Sequence, residues 1–129
     1  MTSQDFKELL VLEQKLYNKI NEAIDLTHEL AEAVSRQDQV SLRLLLSMRR
    51  KPLLELQEIS SYIDLKRLDL NKTDAAEFDR LLSGSEPEHP EEVPVAHQII
   101  QNRRLLGRLT ELDHHISRSL CGEESYYRT

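Results

Sequence analysis

Apolar residues recur every seven positions through the first third of the chain. Leu9, Leu16, Ala23 and Leu30 form one series, and Glu13, Ile20, Thr27 and Val34 form a second one interleaved with it. Two such series describe a single seam along a helix, and Tyr17, Ile24 and Leu26 widen it beyond a strict two-stranded coiled coil. The pattern predicts a helix over 4–34, capped by Ser3 and favoured by Asp5 and Glu8 in its early turns. At about 1.5 Å per residue it runs roughly 45 Å, a length that suits a long hairpin or bundle. SRQD (35–38) then supplies a turn, with Asp38 as the cap of a second helix.

In that second helix Leu42, Leu45, Met48, Leu56, Ile59 and Ile63 set the apolar rhythm, with Leu46, Leu53 and Tyr62 beside them. The rhythm continues across Pro52, although proline removes a backbone donor and crowds the preceding turn. A bend is therefore expected there rather than a break. NKTDAAEFDRLLSG (71–84) reads as a short third helix, capped by Asn71 or Thr73 and ended by Gly84 in a left-handed conformation. SEPEHPEEVP (85–94) is an acidic, proline-rich stretch with almost nothing to bury, expected as a solvated loop. The last helix opens near Pro94. Its seam alternates Val95, Asn102, Leu109 and Ile116 with Ile99, Leu106, Asp113 and Leu120, and Cys121 and Gly122 close it. The expected fold is all-α: one domain over 1–129, an elongated antiparallel helical hairpin or bundle of three long helices and one short one.

Composition sharpens this picture. Three glycines and no tryptophan leave few turn-makers among abundant helix formers. Lys and Arg number 17 against 23 for Asp and Glu, a net charge of -6 that argues against general nucleic-acid binding. A single cysteine, Cys121, excludes an intrachain disulfide and a cysteine metal cage. Nothing approaches the roughly 18 apolar residues of a membrane span, and the acidic N-terminus MTSQDFKE is unlike a signal peptide. A cytoplasmic protein without membrane insertion is expected.

Candidate chemistry is sparse. Arg49, Arg50 and Lys51, joined by Arg103, Arg104 and Arg108, are the residues to hold a phosphate or a carboxylate. The plain alternative is that arginine stems pack along the bundle with their charges in water. His114 and His115 are adjacent, about 100° apart on a helix, and His28 with Glu32 has helical spacing but no further ligand, so no metal is expected. His89 and His97 are expected to face solvent. Glu13 is the most unusual carboxylate, placed by its plain reading at the bundle edge. No nucleophile or glycine-rich loop stands out, and neither catalysis nor a cofactor is expected.

AEAVSRQDQVSLRLLLSMRRKPLLELQEI, with Leu42, Leu45, Leu46 and Arg49 in an LxxLLxxR pattern, resembles the hairpin region of the flagellar type III export chaperones. These serve hook-associated and filament-cap proteins. QNRRLLGRLTELDHHISRSL is similar to that family's final helix, with Asn102, Leu105 and Leu106 at its Asn and paired-Leu positions. Pro52 and the 85–94 loop depart from the family pattern. The resemblance implies a small acidic chaperone that holds an amphipathic helix of a secreted hook-associated or cap protein and delivers it to the export machinery. Leu105, Leu106, Leu109, Ile116, Leu120, Asn102, Arg49 and Arg50 are its expected partner-binding residues. Patterning leaves a homodimer as an equal use of the same seams. The enzyme rival is a small all-helical mutase of the chorismate type, which LLLSMRRKPLLELQEI superficially echoes; a plain structural or regulatory bundle is the third reading.

Overall fold

The computed structural model describes residues 1–121, excepting the Cys121 side chain. Gly122 lies outside them. Four helices follow in order: α1 (Ser3–Ser35), α2 (Gln39–Leu68), α3 (Lys72–Leu82) and α4 (Val93–Cys121), with one 3₁₀ turn at Pro90–Glu92. The fold is all-α, as the periodicity predicts.

The start of α1 lies one residue earlier than expected. Thr2, not Ser3, is the cap: its hydroxyl accepts from the Asp5 amide while the Asp5 carboxylate accepts from the Thr2 amide. Each side chain satisfies the other's orphan amide, which Ser3 cannot do from inside the first turn. At the far end, Gln37 donates to the Val34 carbonyl and Asp38 to the Ala33 carbonyl, both from the backbone. This double closure needs a left-handed residue, and Gln37 takes it with φ 56°. Asp38 then caps α2 through the Ser41 amide, so α1 reverses into α2 within three residues.

Helix α2 passes through Pro52 without stopping, and Pro52 is buried. Its ring therefore faces the bundle, and the helix forgoes one hydrogen bond, to the carbonyl of Met48. α3 is capped by Asn71 at its start and Ser83 at its end, and Gly84 follows with a φ of +87° that suits glycine. Phe78 and Leu81, from α3, are fully buried and close one end of the core.

α1 lies between α2 and α4 and packs along both, whereas no Cα of α2 comes within 8 Å of one in α4. Lys19 reaches Glu55, and Lys66 reaches Asp5 and Glu8, so α2 runs antiparallel to α1. Ser3 meets Glu91 and Asn102 meets Glu13, so α4 runs parallel to it. Serving two neighbours requires a broad buried band, and α1 supplies it with Phe6, Leu9, Glu13, Leu16, Ile20, Ala23, Ile24, Thr27, Leu30 and Ala33. The apolar core divides in two. The larger part holds Leu9, Leu16, Ile20, Ile63, Phe78, Leu81, Val95 and Ile99, and the smaller holds Leu30, Ala33, Leu42, Ile116 and Leu120.

Two expectations fail on burial. Met48, placed on the apolar rhythm of α2, and Tyr62, placed beside it, are 49% and 60% exposed. The 85–94 segment is not wholly solvated, because Glu92 is fully buried. Both of its carboxylate oxygens accept from the Arg80 Nη2, and Arg80 also donates to the Glu86 carbonyl. The ion pair to α3 ties the loop down.

Gly84→Ala is expected to lower stability by about 1 kcal/mol, because alanine resists the left-handed region. The new methyl also stands 3.0 Å from the Arg103 Cδ and Nε. A thermal melt of the two proteins checks this.

Candidate functional site: two polar layers and the surface around them

The eight expected partner-binding residues do not form one surface. Leu109, Ile116, Leu120 and Asn102 are buried inside the chain's own core. Leu105 and Leu106 are half-buried against it. Arg49 is buried and Arg50 exposed. The seam of 95–120 is filled by α1, which lies along it, so the partner surface expected there is occupied within the chain. Arg103, Arg104 and Arg108 are exposed, and Arg103 donates to the Leu82 carbonyl at 3.1 Å.

The polar seam residues instead build two layers. In the first, Asn102 donates to the Glu13 carbonyl at 2.8 Å and to its carboxylate at 3.4 Å, while Gln98 donates to the Asn102 side-chain oxygen at 3.1 Å. Glu13 is 3% exposed, not at the bundle edge. Burial raises its pKa above the ordinary carboxyl value, and the Asn102 hydrogen bond opposes this only in part. Glu13 and Asn102 also line a cleft of about 210 Å³ with Ser60, Asp64 and Arg103.

The second layer takes one residue from each long helix. Thr27 is fully buried and returns its hydroxyl to the Ala23 carbonyl at 2.6 Å. Arg49 Nη2 donates to both oxygens of Asp113, at 2.6 and 2.7 Å. The Arg49 Nε is buried without a hydrogen-bond partner. This layer falls between the two apolar clusters: Leu46 and Leu53 flank Arg49 in α2, and Leu109 and Ile116 flank Asp113 in α4. The pair is buried on its arginine side only, Asp113 being 38% exposed; it contributes little net stability but penalises misregister, since a shifted helix would leave the buried Arg49 charge unpaired. Arg49 is thus committed to α4 and does not converge with Arg50 on a ligand.

A third cluster escaped the sequence reading. Ligand atoms of Glu77, His89 and Glu92 lie within 4.8 Å of one another, a spacing that suits a cation. The Arg80 guanidinium, however, sits on both oxygens of Glu92 and already neutralises it. His89 is exposed as expected, and Glu92 is held by Arg80, which also reaches Glu88.

What remains open lies on the outside. A groove of about 490 Å³ between α1 and α2 has Val11, Leu12, Tyr62 and Leu65 as its apolar wall and Lys7, Glu8, Lys66 and Asp69 among its polar lining. Burial alone would lower the Lys66 amine, but Glu8 and Asp5 outweigh it and raise its pKa. On the other side of α1 a second groove of about 330 Å³ is lined by Phe6, Leu10, Pro94 and Val95, with Lys7 common to both. Val40, Leu44, Leu54, Leu65 and Leu68 of α2 are all more than half exposed. No protein-family model, curated protein or solved structure matches the chain. Among the described residues, no helix is long and apolar enough to cross a membrane.

Glu13→Gln tests the first layer. A carboxyl whose folded pKa is raised contributes stability below its unfolded pKa and loses it as pH rises through the folded value. The glutamine variant is expected to melt higher than the parent at pH 7, with the advantage vanishing near pH 4, as melts across pH will show. For the second layer, Arg49→Ala is expected to cost about 2 kcal/mol, because Asp113 loses its partner and the arginine stem leaves a gap. Exchanging the pair together for Met and Leu should restore most of that in denaturant titration.

Proposed function

We propose that this protein is a small cytoplasmic chaperone that holds an amphipathic helix of a secreted flagellar axial protein, docked across the grooves flanking the N-terminal half of α1. The observation that carries this reading is the pair of grooves itself. Both have apolar walls, both have charged residues in their lining, and Lys7 and the α1 ridge separate them by a single helix width. A helix-in-groove partner needs that form: apolar anchors at steps of three and four enter the grooves while its polar face stays wet. Val11 stands 48% exposed and continues the apolar wall that Leu12, Tyr62 and Leu65 give the larger groove.

The class of partner rests on the LxxLLxxR and Asn-paired-Leu resemblance. Within this reading the docking residues shift from the α4 seam, which the chain consumes in its own core, to Val11, Leu12, Tyr62 and Leu65, together with Phe6 and Leu10. The long helices act as a rigid support, and the polar layers hold them in register.

Titration calorimetry of the purified protein against terminal helical segments of hook-associated and cap proteins encoded by the same genome tests the proposal. One segment is expected to bind with a stoichiometry of one per chain, and Val11→Asp is expected to weaken it about tenfold or more. Absence of binding by every segment, or equal binding to Val11→Asp, would contradict it.

A further inference from the structure

Helix α2 carries two apolar faces, and only one of them is used by the fold. Its inner face holds Leu42, Arg49, Pro52 and Ile63. Its outer face is a second stripe at alternating steps of four and three: Val40, Leu44, Ser47, Lys51, Leu54, Glu58, Ser61, Leu65 and Leu68. All nine are exposed. The steps keep them in line along a helix of thirty residues, and because Pro52 is buried the proline does not interrupt this side.

The order of residues in the stripe is nearly the same read backwards. Reversal about Leu54 brings Val40 to Leu68, Leu44 to Leu65, Ser47 to Ser61, Lys51 to Glu58, and Leu54 to itself. The flanks follow the same rule: Met48 comes to Tyr62 and Arg43 to Asp64. Apolar meets apolar, Lys51 and Arg43 each meet an anion, and Arg50 comes to the neutral Gln57. The flanking Glu55 also falls on its own copy, but it already carries Lys19 at 3.0 Å. A parallel arrangement would set Lys51 against Lys51 and Glu58 against Glu58, a like-charge juxtaposition.

We infer that the outer face of α2 is a self-association surface, on which a second copy of this chain lies antiparallel about a two-fold axis at Leu54. An isologous contact requires a surface complementary to itself, and this stripe has that property in both shape class and charge. Its size is sufficient. Val40, Leu44, Met48, Leu54, Tyr62, Leu65 and Leu68 are 49–80% exposed, which places on the order of 800 Å² per copy within reach, the area of a standard interface. The inference does not rest on the proposed chaperone activity, but the two share Tyr62 and Leu65 of the larger groove, so a second copy and a partner helix exclude one another there, and neither residue is altered in the test.

Sedimentation equilibrium of the full chain is expected to show a monomer–dimer equilibrium. Lys51→Glu and Glu58→Lys should each weaken the dimer about tenfold or more, and the double exchange should restore it. In a Cys121→Ser background, Leu54→Cys should form an interchain disulfide under mild oxidation, because only a residue at the axis meets its own copy closely enough. Val40→Cys, near the far end of the stripe, should not. Circular dichroism confirms that each variant keeps its helices. A monomer at every concentration up to the solubility limit, a double exchange that fails to restore the dimer, or crosslinking of Val40→Cys as readily as Leu54→Cys would each overturn the inference.

Discussion

The structure depends on one helix having to satisfy two neighbours. α2 and α4 do not bring their backbones together, so both are held chiefly through α1. That constraint explains the breadth of the α1 seam and the small residues within it. Ala23 and Ala33 are fully buried, and alanine lets a helix be approached on a side where leucine would hold neighbours apart. It also explains why Arg49 and Asp113 matter to the arrangement. Their pair joins two helices across a gap that backbone packing does not close.

Polar residues on the seam divide the bundle into segments rather than opening it to water. An apolar rod of this length offers many nearly equivalent sliding registers. Pairing Glu13 with Asn102, and Arg49 with Asp113, makes the wrong registers costly. The chain accepts a buried carboxyl with a raised pKa and an unpartnered arginine nitrogen as the cost of that selection. Arg80 and Glu92 play a similar part at the end of the bundle, where they fix a loop that has little apolar surface to hold it.

Much of the fold was legible because the seven-residue pattern reports one face per helix. The seams of 9–34 and 95–120 land on buried positions almost throughout, and Asp38, Asn71 and Gly84 take the capping roles their chemistry suggests. The candidate site was less legible, for a physical reason. Periodicity says that a face is apolar but not what covers it, so Leu109, Ile116 and Leu120 read as partner surface although α1 covers them. In α2 two faces overlap in sequence, so the spacing of Met48 fits the inner rhythm although the residue, like its neighbour on that side Tyr62, belongs to the outer one. Arg49 was separable from Arg50, because it stands seven residues from both Leu42 and Leu56 and in line with Ile63 on the inner seam, but its partner Asp113 was not legible without knowing how α4 lies. Glu92 lay in a stretch whose prolines and charges suggested solvation, and only its distance from Arg80 shows otherwise.

α1 is the element on which the other helices are assembled, and amide hydrogen exchange in the native protein tests that most directly. The amides of α1 between Leu9 and Leu30 are expected to exchange slowest, and only with global unfolding, while parts of α2 and α4 open at lower free energy. Protection in α2 or α4 that outlasts α1 would contradict it.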